Sequence, residues 1–340
     1  MRTKLSGMLI LVGAAGALAL GGCDEGDDDA AGDGGADSDT DSDTDSDSDT
    51  DSDSDTDGDC ALVEGLNQGF DVDGTQRSFY VALPAGVEEG GPWPVVFNWH
   101  GLGDTAQNMQ GLMSPFVDNE EMPFILVTPE DEDFSVTILG FQFPLDWEVT
   151  EVNPETNSEA RLFDEVLAAV DECWGVDEDH VHSIGFSIGG FCTDLVGVVR
   201  GDRIASLATF SGGYGSNAAN DAILGPLANF VDWPDPAHGN AYAQLFIHGG
   251  ENDIYTVIPN IMVLHFNQAS VNDAAYLNGM GHDTIICDHG LGHTAPAPEL
   301  TGLQITEFFA AHPRGTTDSP YAAGIPSDFH DSCVFQSGAK

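Results

Sequence analysis

The sequence predicts an α/β fold, with a mostly parallel central sheet and helices on both faces. Three observations predict it. Short apolar runs rich in β-branched residues alternate with longer stretches of helical spacing, and strands separated by helices pair in parallel beneath them. One stretch carries strand, tight turn and helix without a break: Val181-His182-Ser183-Ile184, then Gly185-Phe186-Ser187-Ile188-Gly189, then a helix-length apolar run over 191–199. Finally, the 281 residues of 60–340 suffice for one large domain with a sizeable core.

In chain order, residues 77–83 and 94–99 are strand-like runs, followed by a turn at Gly101-Leu102-Gly103-Asp104 and a helix-like stretch over 105–117. Residues 124–128 give the next strand. The spacing of Leu162, Val166, Ala169 and Val170 predicts a helix over 157–173, and 181–185 is the strand before Ser187. Strands follow at 204–210 and 244–248, a helix near 259–266, a strand near 284–287 and a last helix over 300–311. In a sheet of this kind, reactive groups gather beyond the C-terminal ends of the strands.

Residues 1–22 read as a processed leader, with Arg2 and Lys4 as a basic start, an apolar core over 8–20, and the small-residue cleavage site Leu20-Gly21-Gly22-Cys23. The cysteine at its end reads as a bacterial lipobox, so the chain is expected to be exported and lipidated on Cys23, with an ordinary secretory signal and an incidental cysteine as the alternative. No segment reaches the roughly 20 apolar residues that a membrane span needs. Residues 23–59 run through Ser-Asp-Thr-Asp repeats with no large apolar side chain. Nothing there offsets the entropy of ordering, and the segment is expected to be a self-repelling, extended tether to a folded domain at 60–340.

Of 58 acidic residues, 18 fall in the tether, which leaves 40 on residues 60–340 against Arg77, Arg161, Arg200, Arg203, Arg314 and Lys340. Such a surface excludes nucleic acid and anionic lipid as partners. Membrane contact is expected only through the lipid on Cys23, and the protein is expected to be a monomer. Setting Cys23 aside leaves five cysteines, an odd number, so at least one stays unpaired in an oxidising compartment. Cys192 is that candidate, as a small buried hydrophobe in the helix behind Ser187. Three pairings of Cys60, Cys173, Cys287 and Cys333 remain open.

The stretch around Ser187 has what a nucleophile elbow needs: a strand, a turn too tight for side chains beside the serine, and a helix whose first amides face a developing anion. Trp99-His100-Gly101-Leu102 follows an earlier strand and is placed to aim a second amide at that anion. Leu102 is the candidate donor with Gly101 as the alternative, and Ile188 supplies the other N–H. His100 is expected to brace this loop. The acid candidate is Asp253, just beyond the strand at 244–248, with Glu251 as runner-up; a helix N-cap ahead of Ile254 is the competing role for Asp253. The base candidate is His293, in the loop after the last strand of the 284–287 region. His289 competes with it, whereas His282 precedes that strand and falls at the wrong end of the sheet. His282, Cys287, His289 and His293 are zinc-ligand types at short spacing but match no standard zinc pattern. Trp99, Trp147 and Trp233 are candidate pocket-lining residues.

The order Ser187, Asp253, His293 and its flanks resemble the secreted polyhydroxybutyrate depolymerase and feruloyl esterase group of the α/β-hydrolases. The resemblance rests on Cys173-Trp174-Gly175-Val176-Asp177-Glu178-Asp179-His180-Val181, Ser187-Ile188-Gly189-Gly190, Gly292-His293-Thr294 and Phe308-Phe309-Ala310-Ala311-His312-Pro313-Arg314, and covers most of residues 65–315. It implies an α/β-hydrolase fold and a serine carboxylic ester hydrolase that works through an acyl-enzyme, with no metal or organic cofactor and an extracytoplasmic ester as substrate. A serine peptidase and a non-catalytic binding protein on the same fold are the alternatives.

Overall fold

The structure is a computed structural model that describes residues 60–138, 141–224, 233–236, 239–258 and 262–339. Residues 1–59, which hold the expected leader, Cys23 and the Asp-rich segment, lie outside the described residues. Thirteen strands are described, nine of them in one sheet of order β1-β2-β4-β3-β7-β8-β9-β12-β13. The sheet is built from β1 (Gly65–Val72), β2 (Thr75–Ala82), β3 (Trp93–Trp99), β4 (Ile125–Pro129), β7 (Val176–Phe186), β8 (Ser206–Phe210), β9 (Ala243–His248), β12 (Thr284–Asp288) and β13 (Val334–Gln336). The six strands from β4 to β12 run parallel. Antiparallel strands extend them on both sides, β2 with β1 at one edge and β13 at the other.

The parallel strands are buried on both faces, so neighbouring residues serve different cores. On β3, Val95 and Phe97 belong to one apolar cluster and Val96 to the other. The first cluster is closed by α2 (Ser158–Trp174), α3 (Ile188–Arg200) and α4 (Phe266–Gly279), which present Phe163, Leu195 and Leu277 among others. The second is closed by α1 (Ala106–Gln110) and α5 (Gly302–Ala311), through Met109, Ile305, Phe308 and Phe309. Asn157 caps α2 by accepting the Ala160 N–H at 2.7 Å, and Thr301 with Gln304 forms a capping box on α5.

Two expected helices are corrected. The stretch at 105–117 is helical only over α1, with a 3-10 turn at Ser114–Phe116, because Gly111 and Pro115 interrupt it. Of the helix expected near 259–266, residues 259–261 lie outside the described residues, and within 262–266 only Phe266 is helical. Met262–His265 is a strand, β11, paired antiparallel with β10 (Ile254–Ile258). The run Met262-Val263-Leu264 is too short for periodicity to separate strand from helix. A second hairpin, β5 (Phe134–Ile138) with β6 (Phe141–Asp146), follows β4. Both hairpins are insertions beside the sheet, and both reach the candidate site. No helix among the described residues is long and apolar enough to cross a membrane.

The cysteines resolve as Cys60–Cys173 and Cys287–Cys333, with Cys192 free and buried. Burial pushes the Cys192 thiol well up, so it stays protonated and inert. One buried ion pair joins sheet to helix: Arg77 on β2 meets Glu159 in the first turn of α2 at 2.9 Å, both almost wholly shielded from solvent. Arg77→Ala leaves the Glu159 carboxylate buried without its partner and should cost about 3–5 kcal/mol in urea unfolding. The double replacement Arg77→Met with Glu159→Leu should cost less than that single change, since no charge is then stranded.

Candidate active site

Ser187 stands between β7 and α3 with φ 57° and ψ −120°. That backbone is strained for a residue with a side chain, and it lifts the hydroxyl off the end of the strand. The neighbouring glycines are steric necessities. A Cβ on Gly185 would overlap the carbonyl of Gly189, and one on Gly189 would overlap the carbonyls of Trp99 and His100. The turn is pinned to the next strand by a hydrogen bond from Ser187 N to Phe210 O at 2.9 Å.

The ends of two further parallel strands, β9 and β12, bring the other groups to the same rim. Beyond β9, a 3-10 turn at Gly250–Asn252 delivers Asp253. Beyond β12, Asp288 leads into the loop that carries His293, and the Gly292 N–H donates to Gly249 O at 2.9 Å, locking the two loops together. His293 Nδ1 lies 2.7 Å from Asp253 Oδ1, and His293 Nε2 lies 2.9 Å from Ser187 Oγ. With Nδ1–H donating to the carboxylate, Nε2 offers a lone pair to the serine hydroxyl.

Asp253 is fully buried. Burial by itself would raise its carboxyl, but hydrogen bonds from His293, Gly249 N–H and Ser211 Oγ outweigh that and hold it below the ordinary carboxylate value. The Ser211 and Gly249 bonds, at 2.8 and 3.0 Å, both fall on Oδ2 and leave Oδ1 to the imidazole. The imidazole is clamped between rings, stacked on Phe266 with centroids 4.5 Å apart and tilted against Phe186 at 4.8 Å. Ring orientation is therefore fixed from its faces as well as its edge.

The competing residues fall elsewhere. His289 Nδ1 accepts the Leu291 N–H at 3.2 Å, and its Nε2 has no hydrogen-bond partner among the described residues. His282 hydrogen-bonds the Tyr242 carbonyl, ahead of β12. Glu251 is exposed. Residues 254–258 form β10, so a helix N-cap role for Asp253 is ruled out. The zinc set is dispersed, because Cys287 is bonded to Cys333 and His293 faces Asp253 and Ser187.

A cavity of ≈ 230 Å³ opens above Ser187. Its walls are Leu102, Ile188 and Phe191 from the sheet side, Phe143, Pro144 and Leu145 from β6, and Tyr255, Val257, Leu264 and Phe266 from β10, β11 and the start of α4. Trp99, Trp147 and Trp233 are absent from this wall, which corrects the expectation that they line it. Each indole N–H is spent internally, on Ser183 Oγ, His100 O and Val149 O respectively, at 2.8–2.9 Å. Trp99 and Trp147 pack edge to face at 5.2 Å in the core.

The amides expected to bind an anion are at hand. Ile188 opens α3, with no preceding turn to receive its N–H. Leu102 N–H meets no backbone or side-chain acceptor among the described residues. Its loop is held by Asp146, whose carboxylate accepts the Gly103 N–H at 2.6 Å. Sequence reasoning missed Asp146 and Ser211. Position after the C-terminal end of β8 was the signal available for Ser211; Asp146 sits in a hairpin that sequence pattern did not reveal.

No protein-family model matches the chain. Feruloyl esterase D of Neurospora crassa is 25% identical over 156 residues, covering 45% of this chain and 52% of that protein. The chain thus spans about half the length of the curated relative it matches. The solved structure of native sOPH matches with a TM-score of 0.62 at 18% identity, over 82% of this chain and 96% of that one. Acetyl xylan esterase from Aspergillus awamori matches at 0.50 and 15% identity, over 72% and 98%. At such identities the structural matches establish the fold, which is that of the α/β-hydrolases.

Proposed function

We propose that the chain is a serine carboxylic ester hydrolase, exported and lipid-anchored through Cys23, that acts on an extracytoplasmic ester through an acyl-enzyme. The observation that carries this reading is the unbroken relay from Ser187 Oγ through His293 to Asp253 at the floor of an apolar cavity. Similarity to a feruloyl esterase supports it. In the first half-reaction, His293 Nε2 takes the hydroxyl proton as Ser187 Oγ attacks the ester carbonyl. The amides of Leu102 and Ile188 receive the oxyanion, and the alcohol leaves with the proton returned by His293. In the second, His293 deprotonates water, which displaces the acyl group from Ser187. Asp253 keeps the imidazole in the required tautomer and stabilises its charged form.

Among the described residues the cavity walls offer no charged side chain, which suits an uncharged acyl group such as a hydroxycinnamoyl or short aliphatic one. The acidic exterior disfavours polyanionic substrates. Two measurements test the reading. A fluorophosphonate probe should label one serine, located at Ser187 by peptide mass spectrometry. A panel of p-nitrophenyl acetate and butyrate, methyl ferulate and oligomeric 3-hydroxybutyrate should show turnover of at least one ester. Absence of labelling together with absence of turnover across the panel would sink the proposal.

A further inference from the structure

β3 and β4 are adjacent parallel strands, so the residues just past their C-terminal ends meet: His100 after β3, Glu130 and Asp131 after β4. One ligand atom from each of the three lies within 4.8 Å of the others. We propose that His100, Glu130 and Asp131 bind a divalent transition-metal cation, which staples the loop carrying Leu102 to the end of β4.

The argument begins with the tautomer of His100. Its Nδ1 lies 2.9 Å from the Gly101 carbonyl, which can only accept, so Nδ1 carries the proton. In the neutral ring Nε2 is then a bare lone pair, and on this fully buried side chain it has no hydrogen-bond partner among the described residues. What faces it is another acceptor, Asp131 Oδ2, at 3.4 Å. Two lone pairs do not turn toward each other in a buried site without something positive between them.

The spacing identifies that something. Ligand atoms bound tetrahedrally at about 2.0–2.1 Å from a metal stand ~3.3 Å apart, close to the Nε2–Oδ2 separation. The other donors are already oriented. Asp131 Oδ1 accepts the Asp133 N–H at 2.6 Å, and Glu130 Oε2 accepts the Ala106 N–H at 2.8 Å, which fixes both carboxylates from behind. Charge points the same way, because Glu130, Asp131, Glu132 and Asp133 are consecutive acids, and of these four Arg77 forms a side-chain ion pair with Glu132 alone. One imidazole with two carboxylates is a donor set for zinc or manganese, whereas calcium seeks six to eight oxygens.

The site lies outside the proposed proton relay and is tested without any ester. The full chain is stripped with EDTA, dialysed, and melted with and without ZnCl2 or MnCl2. Cations held by the Asp-rich segment, which the sequence expects to be unfolded in either state, bind native and denatured chain alike and leave the midpoint unmoved. A site assembled by folding raises it. The expected result is a rise of about 5 °C with Zn2+ or Mn2+ near saturation, a smaller rise with CaCl2, and loss of most of the rise in Asp131→Asn and in Glu130→Gln. Should Asp131→Asn fail to fold, Glu130→Gln decides alone. No rise in the wild-type chain, an equal rise in wild type and variants, or a calcium effect matching that of zinc would overturn the proposal, and the first of these would make the contact an imidazolium–carboxylate pair.

Discussion

Ser187→Ala is expected to lower kcat on p-nitrophenyl butyrate at least ~10³-fold while leaving the thermal midpoint within a few degrees of wild type. The size of the effect follows from the geometry. Under the proposed mechanism, removing Oγ removes the nucleophile, and water held between His293 and the Leu102 and Ile188 amides would be a poor substitute. Residual turnover of that kind survives in triads generally. Stability is spared because the hydroxyl caps nothing in α3 and its recorded partner is His293 Nε2 at 2.9 Å. Methyl-scale loss at the rim removes little packing. Wild-type turnover in the variant would place the chemistry elsewhere.

The second large effect separates two histidines four positions apart in the chain. His293→Ala should lower kcat by a similar factor, whereas His289→Ala should retain most activity. Only the first ring bridges a carboxylate and the serine. His289 is turned into its own loop, where its Nδ1 accepts the Leu291 N–H, and burial lowers its pKa. Replacing it removes one local hydrogen bond and should show as a modest loss of stability, on the order of 1 kcal/mol. The reverse pattern, an inactive His289 variant beside an active His293 variant, would reassign the base. Both variants should be read by kcat and by a melt, so that a fold defect is not taken for a chemical one.

Which features were legible in advance depends on the range of the forces that shape them. The elbow was readable because its requirements lie within a few residues: Gly185 and Gly189 are dictated by backbone overlap, and the apolar runs before and after Ser187 are a strand and a helix by their own patterning. The parallel direction of the core strands was likewise implied by the alternation of elements, though their order was not. The hairpins were not readable. β10 and β11 are five and four residues long, and runs of that length carry no decisive period. Since these hairpins supply β6 and β10–β11 side chains to the cavity, the character of its walls was hidden with them. The tryptophans show the same limit from the other side, since aromatic content does not say whether a ring lines a cavity or fills a core.

By itself, then, the sequence determined the α/β layering, the strained serine turn, the candidate order Ser187, Asp253, His293, the acidic surface and the odd cysteine. Tertiary structure alone decided how Cys60, Cys173, Cys287 and Cys333 pair, that His293 and not His289 meets Ser187, that Ser211 supports Asp253, and that His100 faces Asp131. The reason is one of distance along the chain. Backbone sterics and hydrophobic period act over a handful of residues and are written locally. Contacts between residues 106 apart, as Ser187 and His293 are, exist only once the sheet has closed and both core layers have packed.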